Sequence, residues 1–318
     1  MANPFLTSVL LAPLLAVHLV LVNLAMAGPL VSIALRRRAT RQHDELAGRV
    51  GRSMAKLALG SLAAGAVLGG VLLALMWAAG EQRYFAALAA IEPSRFFFAA
   101  IELLFYAGCM AAVAMRWDHR PRSGLLLGAL SLLAATDLMF HFPPLFTVIA
   151  TVARRTELHG TTVDRATYYR LLTDGEVLAR IVHVWLASTA VSGLATSLLA
   201  RRRAPAAAAE PTVDERARLV SWGARVSLIA TLLQLPTGLW LLMTLPPVDV
   251  ARLMGGDPWA SALFAASILG VVYLIQNLAA IALGDVAREH TRRATVTMGA
   301  VILLMVLVLE LLEAGPAL

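Results

Sequence analysis

Three histidines lie in apolar stretches of this sequence, where an imidazole has few ordinary partners. His18, His141 and His183 each lie within, or at the end of, an apolar run long enough to sit in hydrocarbon. A neutral imidazole there needs a hydrogen-bond acceptor, a proton path or a metal such as haem iron. A packed, hydrogen-bonded histidine is the alternative reading, and the residues alone leave both open.

Carboxylates occur in the same kind of surroundings. Glu102 and Asp137 fall inside apolar runs, and Glu310 and Glu313 lie close to the C-terminus. Because a buried carboxylate is costly unless it is paired or protonated, we predict that Glu102 handles protons or anchors a hydrogen bond. Glu310 is predicted to be a ligand, a proton acceptor or an interfacial residue, and Glu313 to be exposed at the interface.

The composition of the chain indicates a membrane protein. Hydrophobic residues make up 59% of the 318 residues, charged residues make up 15%, and the mean hydropathy is +0.75. A single cysteine, Cys109, excludes a disulfide framework or a cysteine-based metal site within the chain. The net charge of +7 comes mainly from arginines between apolar runs, a pattern that indicates orientation in a lipid bilayer and not nucleic-acid binding.

Apolar segments long enough to cross about 30 Å of hydrocarbon recur along the chain, and we predict an all-α polytopic protein of about eight transmembrane helices. The segments run approximately over residues 5–35, 54–80, 95–115, 124–142, 177–200, 219–246, 259–284 and 294–314. The first segment is predicted to be a retained helix, and the fourth to end at His141, just before Pro143 and Pro144.

Arginine placement predicts how these helices are oriented and grouped. The basic loops 36–56, 116–122, 201–218 and 285–293 are predicted to face the cytoplasm of a bacterial inner membrane, with both termini on the periplasmic side. The helices are expected to form two sets of four, separated by the Ala/Pro linker 204–211. The predicted division is a four-helix set at 1–142, an outer loop at 143–176, a helix at 177–200, a cytoplasmic linker at 201–218 and three helices at 219–318.

Counting about 1.5 Å per residue along each helix places His18, His141 and His183 in the outer half of the membrane. Four further histidines lie in charged loops, where a solvated surface residue is expected: His43, His119, His159 and His290.

Two stretches carry a resemblance to a known family. The run 99–106, which contains Ala-Ile-Glu-Leu around Glu102, and the Arg-Trp-Asp at 116–118 resemble the third and fourth helices of subunit I of the cytochrome bd quinol oxidases. The run 177–183, ending in His183, and the small residues at 187–193 are similar to the fifth helix of that subunit. The resemblance covers most of residues 5–245.

The resemblance implies specific roles for these residues. His183 would ligate a low-spin b haem, His18 would ligate a second haem, and Glu102 would belong to a proton pathway. Glu310 falls roughly where the family has a glutamate ligand on a late helix.

The chain also departs from that family. The connection at about 247–258 is short and lacks the Gly-Arg-Gly-Gln motif of the quinol-site loop, and the seventh segment lacks the methionine that completes the low-spin haem. Met243 and Met254 are expected near the outer surface, within reach of a haem held by His183.

We therefore predict a shortened b-type cytochrome subunit, possessing one or two haem b groups, that transfers electrons between the quinone pool and a partner on the outer side. Its expected partners are quinol, other membrane subunits and a c-type cytochrome or similar redox protein. His18 and His141 are predicted to meet at a second haem, with Glu310 as the rival ligand. The alternatives are a haem-free membrane anchor or transporter subunit, and a terminal oxidase subunit.

Overall fold

The computed structural model describes residues 4–117, 121–202 and 210–313. Within these residues the chain forms helices and no strand, apart from an isolated bridge between Ile91 and Val163. The helices are α1 (Pro4–Gln42), α2 (Glu45–Ala79), α3 (Gln82–Ala90), α4 (Pro93–Met115), α5 (Pro121–Arg154), α6 (Arg165–Leu172), α7 (Gly175–Ala200), α8 (Val213–Thr244), α9 (Pro247–Ala251), α10 (Pro258–Ala282) and α11 (Arg288–Glu313).

Eight of the described helices are long and apolar enough to cross a membrane, namely α1, α2, α4, α5, α7, α8, α10 and α11. The prediction of an all-α polytopic membrane protein is thus confirmed. The short helices α3, α6 and α9 lie between spans at one end of the bundle, where α5 ends and α7 begins. We call this end the outer end.

Polar residues placed just before the spans fix where several of them begin. Asp44 accepts a hydrogen bond from the backbone of α2, and Asp174 does so at the start of α7. Thr212 and Glu215 form a reciprocal capping box at the start of α8. These contacts satisfy backbone N–H groups that have no partner inside the helix.

Helix α5 corrects one prediction from the sequence. It does not end at His141, and the predicted outer loop 143–176 instead begins with three more turns of α5, which reach Arg154. Pro143 has no N–H for the carbonyl of Met139, which is usually reason for a helix to stop. Here the indole Nε1–H of Trp185 in α7 donates to that carbonyl at 2.8 Å, so the helix continues.

The extra turns of α5 are held by apolar burial against α6 and the start of α7. Leu145, Val148, Ile149 and Val152 are at most 2% exposed, and they share a cluster with Tyr168 and Val177. This packing explains why the sequence signal of two consecutive prolines is overridden.

Helices α7 and α8 pack closely because glycine faces glycine at their crossing. A Cβ atom built on Gly193 would lie 2.6 Å from the backbone N of Ser227, and one on Gly223 would lie 2.6 Å from Ser197 Oγ. The linker 204–211, most of which lies outside the described residues, joins these two helices. Five of the described spans precede it and three follow, so it does not separate two equal sets.

Candidate functional site

His18 is held by two glycines of α2. Its Nδ1 lies 3.0 Å from the carbonyl oxygen of Gly65, and a Cβ atom at Gly69 would lie 2.9 Å from its Cε1. A carbonyl only accepts hydrogen bonds, so the contact places the ring proton on Nδ1 and leaves Nε2 with a free lone pair. Histidines that bind metal are commonly oriented in this way by a second partner.

A buried hydrogen bond between α1 and α7 sets the depth of His183 relative to His18. Ser188 Oγ donates to Asn23 Oδ1 at 2.8 Å, and both residues are buried. His18 precedes Asn23 by five residues on α1, and His183 precedes Ser188 by five residues on α7. Both helices begin at the outer end, so each histidine lies about 7.5 Å outward of this hydrogen bond. His18 and His183 therefore lie at the same depth.

A second contact places His141 at that depth too. The indole of Trp185 reaches the carbonyl of Met139, which ties α7 to α5. His183 and His141 each lie two residues, about 3 Å, outward of this tie. His18, His141 and His183 thus form one layer across the bundle, which we name the histidine layer.

Glu102 meets the histidine layer from α4. Its Oε2 lies 2.8 Å from His141 Nδ1, with side-chain exposures of 27% and 22%. A buried hydrogen bond of 2.5 Å from the hydroxyl of Tyr106 to the carbonyl of Ala25 holds α4 against α1. Glu102, one turn outward of Tyr106, lies about 4.5 Å deeper than His18 by the same count.

Packing is looser in the histidine layer than below it. Residues 18–22 of α1 and 182–187 of α7 are all partly accessible, whereas residues 23–29 of α1 and 190–194 of α7 are all buried. The change occurs on every face of each helix, so it is not explained by one lipid-facing side.

The donor atoms in this layer fit a haem. His18 presents Nε2 with its Nδ1 proton already engaged, and His183 Nδ1 is buried without a hydrogen-bond partner in the described part of the chain. The described residues contain no group of three or more His, Cys, Asp or Glu side chains able to hold a bare metal ion. Haem iron needs only one or two protein ligands.

The other predicted site residues lie around this layer. Asp137 is one turn deeper than His141 on α5, and its buried Oδ2 has no hydrogen-bond partner among the described residues. Glu310 lies on α11, one turn outward of Val306, which packs against α1. Met243 is 77% exposed and Met254 is 57% exposed, so neither side chain points into the bundle.

Of the four histidines expected in loops, His290 lies in the first turn of α11, with its Nε2 3.0 Å from Asp285. His43 joins α1 to α2 with a positive φ of 52°, and His159 follows the short helical turn Thr156–Leu158. His119 lies outside the described residues.

A group of buried ion pairs lies on the outer side of the histidine layer. Glu176, 1% exposed, contacts Arg154, Arg155 and Arg180, with the Arg180 contact at 2.9 Å. Arg154 also contacts Asp249 at 3.0 Å, which ties α5 and α7 to α9. In the sequence, the Glu-x-x-x-Arg spacing at 176–180 is the one pattern that indicates an ion pair here. The other members of the group, Arg154, Arg155 and Asp249, come from distant parts of the chain.

The short connection between α8 and α10 is anchored on the end of α11. Arg252 is 8% exposed and donates to the carbonyls of Leu311 at 2.7 Å and Leu312 at 3.2 Å. It also contacts Asp257 at 3.1 Å. The backbone N–H of Ala260 and the Arg252 guanidinium lower the pKa of Asp257, so this carboxylate is charged at neutral pH.

The protein resembles a known protein in its fold and not detectably in its sequence. No family model and no curated sequence matches the chain. Among solved structures, the bd oxidase from Geobacillus thermodenitrificans has a similar fold, with a TM-score of 0.69 at 14% sequence identity over 98% of this chain and 85% of that chain. The expected resemblance is confirmed for the fold: the protein has the helix arrangement of a bd oxidase chain.

Proposed function

We propose that the protein is a membrane b-type cytochrome subunit that transfers electrons between quinol and a partner at the outer end. The observation that carries the proposal is the histidine layer, in which His18 is oriented through Nδ1 towards Gly65 and His183, whose Nδ1 atom is buried without a hydrogen-bond partner among the described residues, lies at the same depth. An imidazole is costly in hydrocarbon without a partner, and haem iron supplies one. The shared fold with a bd oxidase supports the same reading.

In this proposal His18 and His183 each hold a haem b. The bound haem supplies a one-electron redox change. Gly65 holds the ring of His18 in place, and Gly69 leaves room for that ring. The apolar helices around the layer keep water away from the iron ligands.

Glu102 is the proposed proton-handling residue. Quinol oxidation releases protons as well as electrons, so a route for protons is required. Glu102 and His141 are two titratable groups in contact at 2.8 Å, and Asp137 lies one turn deeper on the same side of α5. The pair can pass a proton between its carboxylate and its imidazole.

We assign the protein to the inner membrane of a bacterium with both termini on the periplasmic side, following its arginine distribution. A c-type cytochrome or similar protein is the proposed electron partner, and other membrane subunits are proposed to complete the complex. The histidine layer lies towards the outer end, which suits electron transfer to a partner on that side.

A second haem shared by His18 and His141 is part of the proposal, with Glu310 as the rival to His141. His18→Ala and His141→Ala variants separate these ligands by their haem-to-protein ratio. Loss of one haem in both variants supports the pair. Loss in His18→Ala alone rejects His141 and leaves Glu310 or an open iron position.

A reduced-minus-oxidised difference spectrum of the purified protein tests the proposed function. The proposal requires a b-type band. A haem-free anchor or transporter subunit gives no band, which would reject the proposal. A terminal oxidase subunit instead gives a b-type band together with oxygen consumption by the isolated complex.

A further inference from the structure

The contact between Glu102 and His141 is the starting point for a quinol site, and this inference rests on the proposed function. The connection between α8 and α10 spans only residues 245–257 and lacks the quinol-site motif of the bd oxidases. The quinol of the proposed function therefore needs another place on the protein. The Glu102–His141 contact joins two membrane spans, α4 and α5, at the level of the histidine layer.

The boundary between α4 and α5 presents hydrogen-bond acceptors, and we name Glu102, Asp137 and His141 the carboxylate seam. His141 Nδ1 lies 2.8 Å from Glu102 Oε2, which holds that carboxylate and leaves it further lone pairs. The buried Oδ2 of Asp137 has no hydrogen-bond partner in the described part of the chain. Because a carboxylate only accepts hydrogen bonds, the ligand that complements this seam is a donor of O–H groups.

Asp137 lies on the side of α5 that faces α4. Its carboxyl group interacts electrostatically with Glu102 and with Cys109, which both belong to α4. It precedes His141 by four residues, so it lies about 6 Å deeper than the Glu102–His141 contact. The two hydroxyls of a quinol lie on opposite sides of its ring, at a separation similar to this step. The two carboxylates are therefore spaced to accept one hydroxyl each.

The carboxylate seam borders the lipid-facing surface. A residue four before or three after a given position shares its helix face, and at both carboxylates these neighbours are exposed apolar side chains. They are Phe98 and Phe105 on α4, and Leu133 and Phe140 on α5. Because both helices are spans, these faces meet the bilayer, in which quinol dissolves. A quinol can thus enter from the side and leave its apolar tail in lipid.

The seam also lies next to the helix that carries His183. The indole of Trp185 on α7 donates to the carbonyl of Met139 on α5, and His183 and His141 each lie two residues outward of that contact. The axes of packed helices are about 8–10 Å apart. A quinol in the seam is therefore separated from α7 by α5 alone.

We propose that Glu102 and Asp137 bind the two hydroxyls of a quinol and accept their protons, while His141 holds Glu102 in position. Each O–H bond breaks as its proton passes to a carboxylate, and both carbon–oxygen bonds become carbonyls. The two electrons that the ring loses go one at a time to ferric haem b, the oxidant that the proposed function supplies. Once the carboxyls lose their protons to the outer side, the seam offers the quinone no donor, which favours its release.

The rate of haem reduction by a quinol tests the proposal in the purified complex. Stopped-flow mixing with duroquinol requires the quinol site, whereas dithionite reduces haem without it. We expect Asp137→Asn and Glu102→Gln to slow reduction by duroquinol about 100-fold and to leave reduction by dithionite unchanged. Glu92→Gln, at an exposed carboxylate just before α4, is the matched control and should keep the parent rates. A parent rate with duroquinol in Asp137→Asn would overturn the proposal.

Photolabelling of the unaltered protein covers the case in which the carboxamide variants fail to fold. An azidoquinone should attach to a peptide of α4 or α5 on irradiation, and an excess of duroquinol should suppress this label. Label confined to the connection 245–257, or to another subunit of the complex, would overturn the proposal.

The dithionite spectrum separates this inference from the proposed function. If dithionite produces no b-type band in the parent protein, the proposed function fails. If the band is present and duroquinol reduces the parent and both carboxamide variants at equal rates, the carboxylate seam alone fails as the quinol site.

Discussion

The hydroxyl of Tyr106 in α4 donates a hydrogen bond to the backbone carbonyl of Ala25 in α1. That carbonyl has no helical donor, because residue 29, which would supply the N–H, is a proline. A side chain from another helix thus satisfies the group that the proline leaves unpaired. The contact fixes the depth of α4 against α1 at a level about two helical turns deeper than His18.

The same arrangement recurs between α7 and α5, where Trp185 donates to the carbonyl that Pro143 leaves without its helical N–H. The two ties fix the heights of the helices that carry Glu102, His141 and His183. Proline placement in the sequence therefore helps to set the geometry of the candidate site.

We expect Tyr106→Phe to lower the free energy of unfolding by about 1–3 kcal/mol, because it leaves a buried carbonyl unsatisfied. In a Pro29→Ala background the cost should be smaller, since residue 29 then supplies the helical N–H to Ala25. A double-mutant cycle measured by unfolding in detergent checks the coupling. Equal costs in the two backgrounds would show that the hydrogen bond does not compensate for the proline.

Gly69→Ala should displace the ring of His18, because the added Cβ would lie 2.9 Å from its Cε1. The expected result is a lower haem-to-protein ratio in an otherwise inserted protein. Gly70→Ala is the matched control: it is the next residue on α2, and a Cβ there has nothing within 4 Å. Equal haem content in the two variants would argue against His18 as a ligand.

Glu102→Gln preserves the shape of the side chain and removes its ability to ionise. If Glu102 transfers protons through His141, quinol-linked turnover should fall by about 100-fold, the lower end of the range for general acid–base groups. The pH profile of the remaining activity should also change. Turnover and a pH profile that match the parent protein would make Glu102 a structural residue.

Glu176→Ala should destabilise the outer end by about 3–5 kcal/mol, because it removes the buried carboxylate partner of Arg180 and leaves Arg154 and Arg155 with Asp249 and Asp174 alone. Glu210→Ala is the control, since Glu210 is 62% exposed and its pair with Arg216 should contribute about 1 kcal/mol or less. Unfolding measured in detergent compares the two. A similar loss of unfolding free energy in both variants would contradict the larger contribution expected from the buried ion pairs of Glu176.

The helix content follows from the sequence because each span is an apolar run of sufficient length. The end of α5 does not follow from the sequence, because two consecutive prolines locally favour the end of a helix. The N–H that satisfies the carbonyl of Met139 comes from Trp185, 46 residues away. The resemblance in fold could be predicted from the runs around Glu102 and His183.

The candidate site is less accessible to sequence reasoning. Counting residues along each helix predicts a common depth for the three histidines, and the hydrogen bonds between helices agree. The contact of His141 with Glu102 depends on the register of α4 against α5, which no local pattern encodes.

The most direct test of the account is the redox difference spectrum of His183→Ala beside that of the parent protein. The account predicts a b-type low-spin band in the parent and its loss in His183→Ala, with membrane insertion and the thermal unfolding midpoint largely retained. A parent protein without a b-type band, or a His183→Ala variant whose low-spin band is unchanged, would contradict the central claim that His183 holds a haem.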